Sequence, residues 1–383
     1  MQRLGSTDSM SRRIDPTELD DLKSRTLLSS VFEKYGVKSR GSKKAKWAVC
    51  CFHAEKSGSL KINDDRGTYW CFGCGAKGDH FSVLQELGGK TFMEAVEVLG
   101  GVRLITAEER HAIEVRNKEW EDEERKAVER TRKSITHTFT TGKPIAGTHV
   151  AAYLQETRGL RVGKSWTFDL RFIPDLVYRG FASPDAEESV ELGAFPAMVA
   201  AIRAPSGDII GLHRTYLDRD APKKLTPPGD QRRNKAKKVL GEQRGGYIRL
   251  SPDASRLATG EGIETSRAWL ELGYGGDDVA VGAAVSLGNL SGGSMGSMEH
   301  PDDPAKRIPN GVPDMDRPGM LLPACVRQLI LLGDGDSDPA MTRARLLVGG
   351  RRFRNLGIGV SITMAPAGHD FADLLLQDVG ANP

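Results

Sequence analysis

The sequence predicts an α+β protein of several domains: a small cysteine-rich module near the N-terminus, a charged helical connector, a mixed α/β middle, and a C-terminal α/β domain on a parallel sheet. Three observations predict this. Four of the five cysteines fall within residues 50–74, among short β-type segments and glycine turns. Residues 106 to about 133 are highly charged and rich in helix formers. From Arg256 onward, short apolar strand-like runs alternate with helical ones, the pattern of parallel strands joined by crossover helices.

The elements follow in order. Residues 18–36 read as a short helix, and 47–75 as short strands with tight turns around the cysteines. Two brief helices come next: Asp79 can cap the first, and Thr91 with Glu94 fits a capping box ahead of Ala95, Val96, Val98 and Leu99. Thr106 and Glu109 form another capping box at the head of the charged connector. In the middle, the sequence predicts a helix over Val150–Thr157 and a hairpin of Ala197–Ile202 and Ile209–Tyr216 around Pro205-Ser206-Gly207. The C-terminal alternation runs through strands at 256–259, 279–283, 328–332 and 360–364, with helices at 266–272 and 340–348. The Gly, Ser and Pro-rich stretch 288–323 interrupts it and reads as a mobile surface insertion. The expected domains are 17–103, 104–136 (the connector), 137–250 and 251–380.

Composition limits the function classes. At 383 residues and 39% hydrophobic, the chain can bury ordinary cores. Its first twenty residues have no apolar signal region, and no run approaches the roughly eighteen apolar residues of a membrane span, so a cytoplasmic protein with no membrane partner is expected. Net charge is only +3, so any nucleic-acid contact must come from local clusters. Six basic residues and no acid lie between Lys34 and His53, and nine Lys or Arg face Asp230 and Glu242 between Ala221 and Leu250.

Cys50-x2-His53 and Cys71-x2-Cys74, seventeen residues apart, form two ligand pairs of the kind that encloses one tetrahedral Zn²⁺. A pair spaced by two lets one tight turn aim both side chains at one point, and Gly73, Gly75 and Gly78 supply the turns. A redox pair at Cys71 and Cys74 would have no need of Cys50 and His53. Cys51 could replace its neighbour as ligand, but on extended backbone its side chain points the other way. Cys325 stands alone and is expected in the core.

A second constellation is acidic. Glu261 follows one predicted strand, Asp334 and Asp336 follow another, and Asp370 and Asp373 follow a third. In a parallel sheet the C-terminal strand ends lie together, so these acids can converge and hold Mg²⁺ or Mn²⁺. Asp334, Asp336 and Asp338 begin like a calcium loop, but Pro339 and Arg345 stand where that loop needs glycine and glutamate. Leu87–Thr91 imitates the end of a phosphate loop, yet Leu84 occupies its first glycine position, which excludes an NTPase of that type.

Residues 50–56 and 69–79 resemble the zinc-binding domain of the bacterial replicative primase family, with Cys51 where proline and Trp70 where histidine is usual. Glu261 with the Asp334/Asp336 pair resembles a Toprim domain. Residues 153–160 and 195–214 resemble the first half of the primase polymerase core. The resemblance implies a structural Zn²⁺ on Cys50, His53, Cys71 and Cys74, and a Toprim catalytic domain with Glu261, Asp334 and Asp336 as metal-linked catalytic residues. Asp370 and Asp373 are implied as outer ligands, and Arg158, Arg214 and Lys238 as contacts to nucleotide or template; these three cations could equally pair with surface acids. Lys56, Lys61, Tyr69, Trp70 and Lys77 are the candidates for holding single-stranded DNA, with the alternative that one of the aromatics covers the zinc core.

The implied activity is synthesis of RNA primers from ribonucleoside triphosphates on a single-stranded template, with a replicative helicase as a partner in trans. Because ten residues follow Asp373, the family's helicase-binding domain is expected to be missing, as in compact phage or mobile-element forms. Two other readings stay open: a Toprim nuclease or topoisomerase relative, and a non-catalytic single-strand-binding replication protein.

Overall fold

A computed structural model describes residues 14–52, 58–73, 75–276, 278–336 and 338–381. They divide into two compact units, one drawn from stretches 14–48, 61–70 and 77–126, the other from 49–60, 71–76 and 127–381.

The first unit opens with α1 (Pro16–Ser24), started by Pro16 and a capping box between Asp15 and Glu18. The single helix expected over 18–36 is two, because extended Leu27 separates α1 from α2 (Leu28–Glu33). A remote side chain accounts for the break: Asp64, buried beside Lys46, accepts both the Ser29 N–H and its hydroxyl at 2.7 Å, satisfying an otherwise open helix start. The strands β1 (Ser39–Ser42), β2 (Ala45–Ala48), β3 (Leu60–Asn63), β4 (Thr68–Cys71) and β5 (Lys77–Asp79) form a sheet in that order. Leu22, Leu28, Phe32, Ile62 and Tyr69 are buried, with Tyr69 edge-on to Phe32 at 5.1 Å. The helices α3 (His80–Glu86) and α4 (Phe92–Val98) carry the expected caps from Asp79 and Thr91.

The connector helix α5 (Ala107–Thr141) runs eight residues past its expected end near 133. Its last turns carry Ile135 and Phe139, four apart and buried in one apolar cluster with Val199, Ala201 and Leu212. After α6 (His149–Ala152) a π-turn (Tyr153–Thr157) leads to an antiparallel sheet of β6 (Leu170–Gly180), β7 (Val190–Arg203), β8 (Ile209–Tyr216) and β9 (Lys237–Gly241), in that order.

A second sheet is mixed. Beside the edge strand β10 (Ile248–Arg249) lie β11 (Arg256–Gly260), β12 (Val279–Ala283), β17 (Gln328–Gly333) and β18 (Gly359–Met364), in the order β10-β12-β11-β17-β18. The last four are parallel to one another, and β10 runs antiparallel to β12. The helices α7 (Ile263–Glu271), α9 (Pro339–Asn355) and α10 (Phe371–Ala381) follow β11, β17 and β18. One apolar cluster runs through both sheets, from Ile145 and Trp166 to Trp269, Leu332 and Phe371. Buried Asp169 ties them further, accepting from Arg203 at 2.6–2.8 Å and from Arg249 at 3.3 Å.

The stretch 288–323, expected as a mobile insertion, is built into the fold. It holds α8 (Leu287–Ser291) and two small antiparallel pairs, β13 (Gly293–Ser294) with β16 (Pro313–Asp314) and β14 (Ser297–His300) with β15 (Asp303–Pro309). Buried Asn289 donates to the carbonyls of Gly246 and Ala284, both at 2.8 Å, and His300 is buried against Asp338 at 2.9 Å. Polar residues typical of loops here fasten the segment to the sheet, a contact that composition does not reveal. Cys325 is exposed, against the expectation of a core residue. Among the described residues, no helix is long and apolar enough to cross a membrane.

Candidate active site and metal-binding module

The acids converge on one cavity of about 240 Å³, lined by Glu261, Glu264, Asp334, Asp336 and Asp370 together with Arg158, His213, Lys224, Lys237 and Val285. Glu261 stands just past β11 and Asp334 just past its parallel neighbour β17, so adjacent strand ends deliver them to one place. Asp370 heads α10, where its carboxylate accepts the Asp373 N–H at 2.7 Å while Asp373 accepts the Asp370 N–H at 3.2 Å. Asp373 is thus a helix-capping residue and does not line the cavity.

Crowding shows in the acids' proton affinity. Burial, then Asp370 and later Asp336 and Glu261, push the Asp334 carboxyl up to about 7, against a weaker opposing bond from Thr265 at 3.3 Å. Asp334 Oδ1 is buried and has no hydrogen-bond partner. Glu261 is raised by burial, with Lys237 opposing and Asp336 adding. Asp370 is raised mainly by burial as well. Among the described residues, no three His, Cys, Asp or Glu side chains already close on one point as a finished metal cage. The donor set nevertheless fits a hard divalent cation: all-oxygen, clustered, and left uncomfortable without positive charge.

The opposite wall is basic, and its composition departs from the sequence expectation. Arg158 is present, its Nε donating to the Tyr153 hydroxyl at 3.2 Å. Arg214 and Lys238 are not. They pair across β8 and β9, whereas His213 sits opposite Val239 and Thr215 opposite Lys237. Side chains alternate along a strand, so Arg214 and Lys238 share one face while His213 and Lys237 share the other, which faces the cavity. Lys238 instead donates to the Arg179 carbonyl at 2.6 Å above the Tyr178 ring, and Arg214 reaches the Val239 carbonyl at 3.4 Å.

Lys224 and Lys237, absent from the sequence expectation, join Arg158 in supplying the cavity's positive charge. Burial, then Lys237, bring Lys224 down to about 8. His213 is pushed down to about 3 by burial and then Lys237, so its ring is neutral at ordinary pH. Val285 holds φ of 73°, a left-handed conformation that costs a β-branched residue on the order of 1–3 kcal/mol, so the surrounding fold dictates this part of the cavity edge.

The zinc module is described in part. Cys50 follows β2 and Cys71 ends β4; both are buried, while Cys51, in a bend past the strand, is exposed. Cys50 Sγ accepts the Phe52 N–H at 3.4 Å, Ser59 Oγ lies 3.1 Å from Cys71 Sγ, and the Gly75 N–H donates to the Cys71 carbonyl at 2.8 Å, closing a tight turn. Buried cysteine sulfurs within reach of a backbone N–H and a hydroxyl suit thiolate ligands of zinc. His53, Cys74 and Lys56 lie outside the described residues. Of the two aromatics, Tyr69 belongs to the core at 3% exposure, and Trp70 is 38% exposed with Lys77 over its ring at 5.4 Å. Lys61 alternates with buried Leu60 and Ile62 on β3.

The family model of the CHC2 zinc finger matches residues 14–114. By this module, the chain is similar to the DnaG-type primases. Similar primase sequences include the DNA primase of Lactococcus lactis subsp. lactis (strain IL1403), 35% identical over 25% of this chain and 16% of that protein. The DNA primases of Synechocystis sp. (strain PCC 6803) and Mycobacterium tuberculosis (strain H37Rv) are 36% and 32% identical, over 13% and 14% of their own lengths. The chain thus spans about one sixth or less of the curated primases it matches.

Among solved structures, the zinc-binding and RNA polymerase domains of the Aquifex aeolicus primase align with a TM-score of 0.35 and 15% identity, over 94% of this chain and 82% of that one. A DnaG primase catalytic domain bound to ssDNA aligns with 0.37 and 16%, over 67% and 79%. A domain of unknown function (DUF7146) matches residues 129–250, the stretch that contributes Arg158, His213, Lys224 and Lys237 to the cavity.

Proposed function

We propose that the chain is a DNA primase, which makes short RNA primers on single-stranded DNA by divalent-metal nucleotidyl transfer in a Toprim-type cavity. The observation that carries this reading is the shared cavity of Glu261, Asp334, Asp336 and Asp370 opposite Arg158, Lys224 and Lys237, in a chain with a CHC2 zinc finger. Glu261, Asp334 and Asp336 would hold Mg²⁺ or Mn²⁺, with Asp370 beside them. When bound, such ions neutralise charge on the transferring phosphate and favour the alkoxide form of the attacking 3′-hydroxyl. Lys224, Lys237 and Arg158 receive the triphosphate of the incoming ribonucleotide and stabilise the departing pyrophosphate. On the zinc module, exposed Trp70 offers a stacking surface, and Lys77 and Lys61 offer phosphate contacts, for the template strand.

The test is synthesis itself. Protein incubated with single-stranded DNA, labelled ribonucleotides and Mg²⁺ or Mn²⁺ is expected to yield short products. Asp334→Ala with Asp336→Ala should lower the yield by roughly a thousand-fold or more while the protein stays folded and keeps its zinc content. Undiminished synthesis by the double variant rejects this cavity as the active site.

A further inference from the structure

Glu264 stands three residues after Glu261 and lines the same cavity, so by sequence it belongs with the metal-holding acids. Its bonding differs from theirs. Both carboxylate oxygens are occupied: Oε1 accepts from the Tyr153 hydroxyl at 2.8 Å, and Oε2 from Lys237 Nζ at 3.2 Å. The residue is 5% exposed, Tyr153 is fully buried, and Arg158 in turn donates to the Tyr153 hydroxyl. Asp334 presents the opposite case, with a buried oxygen that meets no donor.

The position on the fold suits this use. Glu264 is in the first turn of α7, where the helix dipole favours a carboxylate. Burial alone would push its carboxyl up, but Lys237, Lys224 and its hydrogen bonds bring it below the usual carboxylate range, so it stays ionised. Three cations converge on the wall opposite the acids, and without an internal counter-charge they repel one another and swing toward solvent. A buried carboxylate bonded to Lys237 directly, and to Arg158 through Tyr153, holds the wall in one arrangement before any ligand arrives.

We infer that Glu264 is a positioning residue, the internal counter-ion that sets Lys237 and Arg158 to receive the nucleotide triphosphate, and that it is not a metal ligand. The identity of the ligand as a triphosphate rests on the function proposed above; the division between cation-binding and wall-setting acids does not.

Glu264→Gln keeps the shape and an acceptor for Tyr153 but removes the negative charge that faces Lys237. In the full chain, Mn²⁺ affinity is expected to stay within about two-fold of the parent, while ATP affinity without added divalent cation falls roughly ten-fold. In the synthesis assay, the KM for nucleotide rises by a similar factor and kcat changes less. Tyr153→Phe, which cuts only the link to Arg158, is expected to give a smaller loss in the same direction. Asp334→Asn should do the reverse, weakening Mn²⁺ and sparing metal-free ATP binding.

Loss of Mn²⁺ affinity in Glu264→Gln matching that of Asp334→Asn overturns the inference, as does unchanged ATP affinity in both Glu264→Gln and Tyr153→Phe. The two binding measurements need no primer synthesis, so an inactive protein would count against the proposed function alone.

Discussion

The acidic wall of the cavity stands on strand ends: Glu261 and Asp334 each follow the last residue of a parallel strand, and Asp370 heads the helix after a third. The basic wall stands instead on strand faces and loops, with His213 on β8, Lys237 at the start of β9, Lys224 in the segment between them and Arg158 after the π-turn. A residue at the end of a parallel strand reaches the site wherever its neighbours point, because the sheet carries all such ends to one edge. A residue on a strand face reaches it only if the register is right, and a slip of one position turns it away. The acidic wall is therefore robust in placement and costly in charge; the basic wall is the reverse.

The sharpest way to break this comparison is to exchange neighbours on β9. Lys237→Ala is expected to lower kcat/KM for nucleotide by roughly thirty-fold or more, and Lys238→Ala, one residue along, by no more than about three-fold. Equal effects in steady-state primer synthesis would mean that strand face does not decide the basic wall.

A smaller effect tests the electrostatic cost of the acids. The Asp334 carboxyl is raised from its ordinary 3.8 to about 7, so between those values the folded chain holds more protons than the unfolded one. Stability should fall as pH rises through that window, with the full penalty above about 7. Without added divalent cation at pH 8, Asp334→Asn is therefore expected to melt several degrees above the parent, with the difference fading toward pH 4. Mg²⁺ should raise the melting temperature of the parent more than that of the variant. A variant less stable than the parent at pH 8, by scanning calorimetry, would show that the carboxylates do not strain one another.

The smallest effect concerns the hydroxyl that steadies Asp334. Thr265→Val removes its 3.3 Å bond and should change kcat by no more than about five-fold, with folding intact. A loss as large as that of the aspartates would place Thr265 among the cation-holding groups.

The sequence by itself determined the Cys/His spacing of a zinc finger, the strand-helix alternation of the C-terminal half and the acids at its strand ends. These are local signals: a two-residue ligand spacing, a hydrophobic period, a polar residue just past an apolar run. Only the tertiary structure decided that Lys237 rather than Lys238, and His213 rather than Arg214, face the cavity, since both choices carry the same local composition and differ only in strand register. It also decided that Tyr69 is core while Trp70 is exposed, that Asp373 caps a helix, and that the glycine-rich stretch is fastened by Asn289 and His300. Each depends on partners tens of residues away or on which face of an element meets the core, and a polar side chain carries no mark of either until the chain has folded.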